Sequence, residues 1–585
     1  MTLYRTYNYS DAEKELLCKL LQDEDLKNIS KYTIKTLFNR GVRTKRDILY
    51  NLYANLKHQH KIPMKDSNNF KVRLSNALVN NELITILGDY DTDGSMATIL
   101  TYLALKRLGF KVKYDMNNSA VEGYGLKIES VDNIIDKYPD TKIILTVDNG
   151  IRSFEAVEYC NRLNIDVLIT DHHNTSAEGL PNATAVVDPK REDCLYPFKG
   201  LCGAGVVWKL MLELCEFLNN KDALDYIEEL VWLAGIATVA DQVPLLEENR
   251  IIVKETLKKF NNPSWRENNY FIKEFYELLG VENFKTDTIA FYIAPMINSM
   301  RRLSGDTLTL VDTLVENDKD EVKALVKLLD KLNKERRELT KEQLDIAYGL
   351  LEDYNTDNNV IVISSEKFTD GIIGLIAGKL VEEFNKPVIV LHEYDNGVCK
   401  GSCRSIAGIN IEKILSKLDN HLVEFGGHDM AAGLTITKDK LDLFKNDLVS
   451  ICNSLDDNLF KNVVLIDIVL SENNVTTELA DIIENMEPYG NSFTKPLFVL
   501  QDFKIDYKKS VSNKAGSIYV GSDGGTLRLV SEGGLVSIGF KSVDKFKSLE
   551  NTSIVSLVGY PSINEFNGKR YAQFIIEKDY ILKRK

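Results

Sequence analysis

The 585-residue chain has no run of ~18 consecutive apolar residues, which leaves no candidate for a membrane-spanning helix. Its opening, MTLYRTYNYSDAEKE, lacks the apolar core of a signal peptide, so a cytoplasmic location is expected. No Cys-x-x-Cys pair occurs either. The eight cysteines, Cys18, Cys160, Cys194, Cys202, Cys215, Cys399, Cys403 and Cys452, are scattered, which argues against a thiolate zinc site and reads as reduced core thiols. Positive charge is scarce: 72 Lys plus Arg stand against 86 Asp plus Glu, a formal net of -14. Such a chain cannot coat a polyanion along its whole surface, because that affinity comes from neutralising phosphates. Any polyanion contact is local. Residues 501–585 are its expected place, with 14 Lys plus Arg against 9 Asp plus Glu, a net of +5 that leaves -19 on residues 1–500.

What the chain does have is length and alternation. A composition 44% hydrophobic and 27% charged is that of an ordinary globular protein, and a prior of ~150 residues per domain gives about three or four domains. Residues 1–75 read as a mostly helical lead-in without a motif. Residues 76–317 alternate strands with helices: ELITIL, KIILTV at 142–147 and DVLIT at 166–170 are separated by helical patterns. That alternation implies a parallel sheet with right-handed crossovers, in which ligands bind beyond the carboxyl ends of the strands. Residues 318–354 are a charged helical run with no Pro or Gly before Gly349, suited to bridging two domains. Residues 355–456 suggest a second, smaller α/β domain, and residues 457–585 a β-rich module.

The chain is organised around residues 82–95, ELITILGDYDTDGS, where a strand pattern ends in Asp89, Asp91 and Asp93. Taken alone, this reads more simply as an Asp-rich surface turn. Other strand ends change that reading. KIILTV runs into Asp148-Asn149-Gly150, DVLIT into Asp171-His172-His173, and the helical YIEELVWLAGIATVA into Asp241. Several carboxylates gathered on one rim are unfavourable without a compensating cation. Mixed imidazole and carboxylate ligands suit Mn²⁺, whereas an all-oxygen set leans to Mg²⁺.

These runs also carry a resemblance. GDYDTDG, TVDNG, TDHH and ATVADQVPL, in this order and spacing, resemble the four motifs of the DHH phosphoesterase family, and most closely its RecJ single-strand-specific exonucleases. EGYGL (122–126), LCGAGV (201–206), LNKERRE (332–338), GIIGLIAGKL (371–380), KGSCRS (400–405), GGHDMAAG (426–433), EPYGN (487–491) and NEFNGKRYAQFIIE (564–577) extend it. The fold implied is α/β: a parallel-sheet DHH catalytic domain (76–317), a connecting helix (318–354), a DHH-associated domain (355–456) and a C-terminal OB-like β-barrel (457–585). Tyr519, Phe540, Phe566 and Tyr571 are candidate base platforms on that barrel, although aromatics in small barrels are more often core.

The activity implied is metal-dependent 5′ to 3′ hydrolysis of single-stranded DNA to 5′-mononucleotides, in repair or recombination. Two alternatives remain open: a phosphodiesterase for short oligonucleotides or cyclic dinucleotides, and a catalytically silent nucleic-acid-binding scaffold. The resemblance implies two Mn²⁺ or Mg²⁺ ions. Asp148 would bridge them, with Asp89 and Asp91 on one and Asp93, His172 and Asp241 on the other. His173 would touch the scissile phosphate, and Asn298, Arg302, Ser402, Arg404, Ser405, Gly426, Gly427 and His428 would face the substrate. Single-stranded DNA is the implied partner, a single-strand-binding protein or helicase could accompany it, and a monomer is expected. Some basic positions depart from the family pattern. Asn117-Asn118-Ser119 stands for Pro-Asn-Arg, Met296 for Arg, and Gly378-Lys379 for Ser-Arg, which predicts weak discrimination of a 5′-phosphate.

Overall fold

The computed structural model describes residues 3–117, 125–176, 178–352, 354–513, 515–521, 524–540, 542–547 and 553–583. Asn118, Ser119 and residues 122–124 of the EGYGL run lie outside them. Two compact units interleave along the sequence: His60–Asp241 with Thr256–Asn462, and Leu3–Gln59 with Gln242–Glu255 and Val463–Lys585. Among the described residues no helix is long and apolar enough to cross a membrane.

The first unit is built on an all-parallel sheet in the order Lys111–Met116, Leu83–Gly88, Thr141–Val147, Asp166–Thr170, Ala185–Val187. All six residues of Leu83–Gly88 are buried, because both faces of the sheet are covered. On one face Val131 and Ile134 of the helix Ile128–Lys137 and Val157 of Phe154–Arg162 join Leu87, Ile144 and Ile169 in one core. The helix Thr92–Arg107 packs against the strand Leu83–Gly88 and also against Gly203–Phe217 and Val231–Ala240. It is therefore buried over most of its length, small polar side chains such as Ser95, Thr98 and Thr101 included, with Met96, Ile99 and Leu100 at most 1% exposed.

The expected connecting helix is Lys319–Glu352, 34 residues and roughly 50 Å long. Val322, Leu325, Val326 and Leu329 bury one stripe, and the charged remainder stays outside. Beyond it lies a five-stranded sheet in the order Leu422–His428, Ala431–Thr437, Val398–Arg404, Val388–Glu393, Ile361–Ser365. Only the last pair is parallel. The glycine-rich GGHDMAAG run, which by itself could be a helix entry, is the turn of an antiparallel hairpin, with His428 opposite Ala431.

In the second unit seven strands pair in the order Ile468–Leu470, Phe498–Lys504, Ile554–Phe566, Lys569–Lys583, Val536–Phe540, Thr526–Val530, Tyr519–Val520. Asp506 N donates to Val530 O (2.8 Å) and Glu532 N to Lys504 O (3.0 Å), so the Phe498 strand meets the Thr526 strand and the sheet curls toward closure. The segment Leu3–Gln59 is part of this unit: Leu3–Thr6 pairs in parallel with Val463–Ile466. Arg40 then reaches the buried Asp467 in a bidentate pair, Nη1 to Oδ1 at 2.6 Å and Nη2 to Oδ2 at 3.0 Å. The EPYGN run is clamped by Arg250, which donates to the Met486 (2.6 Å) and Pro488 carbonyls and lies 4.1 Å over the Phe493 ring.

Removing one partner of a buried pair strands the other charge, at a cost of about 3 to 5 kcal/mol. Asp467→Ala is expected to destabilise this unit by that much in urea titrations, and Asp467→Leu with Arg40→Met to recover most of it. A loss below ~1 kcal/mol for the single variant would mean that Arg40 finds water or another acceptor.

Candidate active site

Four chain segments end on the rim above the parallel sheet. Asp89 follows the strand Leu83–Gly88, and Asp91 caps the helix Thr92–Arg107 by accepting from Gly94 N at 3.0 Å. Gly94 admits no side chain, because a Cβ there would lie 2.3 Å from Asp89 O. Asp93 is 1% exposed, and its two carboxylate oxygens accept from Gly203 N (2.7 Å) and Ala204 N (2.8 Å), at the start of the helix Gly203–Phe217. Gly203 in turn must lack a Cβ, which would fall 2.6 Å from the Asp148 carboxylate.

Asp148 follows Thr141–Val147 in a left-handed conformation, φ +62°, which Asp and Asn tolerate better than other side chains. Asn149 fastens that turn through Nδ2 to Leu87 O (3.1 Å) and Val147 O (3.0 Å). His172 turns Nε2 toward three carboxylates, 3.0 Å from Asp148 Oδ1, 3.7 Å from Asp93 Oδ2 and 3.8 Å from Asp241 Oδ2. Asp241 arrives as the C-cap of Val231–Ala240.

The candidate ligands thus meet. Asp89, Asp91 and Asp148 form one group whose oxygens lie within 4.8 Å of one another; Asp93, His172 and Asp241 form a second, and Asp148, His172 and His173 a third. Burial, reinforced by Asp91, pushes Asp93 up to about 7. Burial and the neighbouring aspartates also raise Asp89, Asp148 and Asp241 well above the carboxylate range. Burial and His173 hold His172 well below 6.5, so its imidazole is neutral and able to donate a lone pair. Asp89 Oδ1 is buried without a hydrogen-bond partner among the described residues. Orphaned oxygen, crowded carboxylates and neutral imidazole together are the donor set a divalent cation requires.

Asp171, absent from the sequence-based site set, organises the rim from below. It is fully buried and accepts from His172 N (2.7 Å), His173 N (3.1 Å), Ile151 N (3.0 Å) and His173 Nδ1 (2.7 Å). Burial alone would raise its pKa, but the histidines and amides outweigh it and hold it at about 2. His173 is the mirror image: burial would lower it, yet Asp171 carries it to about 9. The TDHH run held the signal, an acid one and two positions before imidazoles at a strand end. Asp171→Asn is expected to drop the His173 titration well below 9, since only Asp241 and Asp89 are then left to oppose burial; NMR titration of the imidazole carbons reads this. A midpoint still near 9 would refute the pairing.

The expected substrate-facing residues divide. His428 stacks on His173, with ring centroids 5.7 Å apart and planes at 14°, and Gly426 and Gly427 lead into it along its strand. Arg404 donates to Ser402 Oγ at 3.2 Å, and both border Gly374 of the helix Asp370–Phe384. Arg302 donates to Gly371 O at 2.9 Å, and burial followed by Arg301, Arg336 and Arg404 lowers it to about 10. Asn298 Oδ1 accepts from Thr92 Oγ1 at 3.0 Å, which steadies the first turn of the acidic helix. Ser405 differs from the expectation: it is buried, and its hydroxyl is donated to Ile409 O at 2.7 Å within a turn. Met296 is core. Arg301, whose guanidinium lies 3.9 Å over the Tyr90 ring, and Arg336 add charge that sequence reading had not assigned.

Comparison with known proteins bears on this geometry. The DHH family, N-terminal domain, matches residues 83–236, the DHHA1 domain residues 357–454, and the RecJ OB domain residues 466–578. The single-stranded-DNA-specific exonuclease RecJ of Escherichia coli K12 is 32% identical over 524 residues, 86% of this chain and 88% of that protein. Its counterpart in Bacillus subtilis 168 is 33% identical over 509 residues, 86% of this chain; the match spans 62% of that longer protein. RecJ of Thermus thermophilus in complex with Mn²⁺ superposes with a TM-score of 0.82 over 100% of this chain and 80% of its own, at 24% identity, a likeness of fold. An exonuclease RecJ bound to manganese gives 0.58 at 29% identity over 68% of this chain and 96% of its own.

Proposed function

Because the chain belongs to the RecJ family, we propose that it is a metal-dependent exonuclease that removes 5′-mononucleotides from single-stranded DNA, in repair or recombination. The observation that carries this is the meeting of Asp89, Asp91, Asp93, Asp148, His172 and Asp241 on one rim, with Asp148 common to two ligand groups. Divalent ions, Mn²⁺ or Mg²⁺, supply water activation and charge neutralisation at the phosphodiester when bound in such a set. Asp89 and Asp91 would hold one ion, Asp93, His172 and Asp241 the other, and Asp148 both.

The chain's own groups supply the remainder. His172, neutral, presents a lone pair without competing for protons near pH 7. His173, kept protonated by Asp171, donates a charge-assisted hydrogen bond to a phosphoryl oxygen, and the stacked His428 restricts its ring. Arg302, Arg336 and Arg404 make no ion pair with a carboxylate among the described residues, and so supply cationic charge for the strand's phosphates. On the β module, Phe540, Phe566 and Tyr571 are 59%, 65% and 50% exposed and free to stack on bases, so they are not core. A complete ligand set gives no support to a silent scaffold, and a β module with exposed aromatics is superfluous for a dinucleotide enzyme.

Digestion of 5′- and 3′-labelled single-stranded and duplex DNA with Mn²⁺ tests the reading. Mononucleotides released from the 5′ end of single strands, with chelator abolishing release and duplex resisting it, are expected. Oligonucleotide products from internal cleavage, or equal digestion of duplex, would reject it.

A further inference from the structure

A cavity of about 560 Å³ opens at the carboxyl end of the strand Lys111–Met116, beside the acidic rim. Leu87, Met116 and Ile134 give it apolar walls. Of its three charged lining residues, Lys137 is paired with Asp115 at 3.1 Å and Asp306 is a further carboxylate, so the cavity offers no free cation to a phosphate. Asn117 is its distinctive group. That side chain is 2% exposed, and neither its amide oxygen nor its nitrogen has a hydrogen-bond partner among the described residues. A buried amide left unpartnered is unfavourable, and native proteins keep one where a ligand or water completes it.

Position selects the ligand. Asn117 N donates to Gly88 O at 3.0 Å, and Gly88 pairs with Met116, so Asn117 and Asp89 are the next residues on adjacent strands, about 5 Å apart. A nucleotide whose phosphate meets the rim can therefore lay its base in the cavity. Apolar walls suit a flat ring, and a primary amide offers one donor group beside one acceptor, the complement of the N7 and N6 edge of adenine. Resting on the nuclease reading above, we infer that this cavity holds the base of the nucleotide being removed, and that the Asn117 amide reads its edge, favouring adenine.

The test is single-turnover digestion by the full chain with Mn²⁺ of strands differing only in the 5′-terminal residue: dA, 7-deaza-dA, dC or dT. A bidentate amide contact predicts that dA is removed about five- to a hundredfold faster than dT or dC. The 7-deaza base, which lacks the N7 acceptor, should lose most of that advantage, and Asn117→Leu should bring the four rates within about twofold of one another. The 7-deaza comparison uses the unaltered protein and decides the matter even if the variant misfolds. Four equal rates would overturn the inference and leave the nuclease standing, the cavity then being filled by water. An adenine preference that survives Asn117→Leu would overturn it too. Failure to digest any strand would sink the nuclease reading, and this inference with it.

Discussion

Asp148→Asn is expected to lower single-strand hydrolysis by at least about a thousandfold with either Mn²⁺ or Mg²⁺, roughly 4 kcal/mol of barrier, while the fold survives. Among the described residues Asp148 is the one carboxylate common to two ligand groups, and Gly203 lies so close to it that a Cβ there would fall 2.6 Å from its carboxylate. Asparagine keeps the shape and accepts the φ of +62° at this position, whereas alanine would add backbone strain to the loss of charge. The variant should not be less stable without metal. Burial and then Asp93, Asp91, Asp89 and Asp241 all disfavour the Asp148 anion, so removing its charge relieves repulsion. Thermal unfolding in chelator and end-label digestion together check this. Activity within about tenfold of the parent would refute the shared-ligand role.

The second large effect is on stability against pH. A buried carboxyl whose folded pKa lies above its unfolded value stabilises the protein below the unfolded pKa and loses that contribution as pH rises through the folded one. Asp93, raised from 3.8 to about 7, forfeits roughly 4 kcal/mol between pH 4 and 7, and Asp89, Asp148 and Asp241 push in the same direction. His173, raised to about 9, adds stability below 6.5 that also fades as pH climbs. Two groups work the other way: Asp171, at about 2, only below pH 4, and His172, held well below 6.5 by burial, only below about pH 6.5, where the four raised aspartates outnumber it. Metal-free protein should therefore lose thermal stability steadily from pH 5 to 8. Added Mn²⁺ should restore it, and by more at pH 8 than at pH 5.5, because the ligands must shed protons to bind. Calorimetry with and without chelator measures both. A metal-free melting temperature flat across that range, or a Mn²⁺ increment equal at both pH values, would contradict the buried acidic cluster.

Much of this molecule is local enough to read along the chain. Six-residue apolar runs such as Leu83–Gly88 are strands because only a sheet covered on both faces buries every side chain. An aspartate directly after such a run is delivered to the rim by strand direction alone. So Asp89, Asp148 and the TDHH residues are legible as neighbours from the sequence, and the charged run ending near Glu352 is legible as a helix. The sequence by itself determined which residue types meet, since periodicity and chain direction act over a few positions. Tertiary structure decided which atoms are already taken. Asp93 gives both oxygens to amides 110 and 111 positions away, Asp171 orients His173, Ser405 donates its hydroxyl to a turn, and the Asn117 amide has no hydrogen-bond partner among the described residues. It also placed Leu3–Gln59 in the β unit through Arg40 and Asp467, 427 positions apart. Hydrogen bonds and burial depend on approach in space, and segments far apart in the chain carry no mark of one another until packing brings them together.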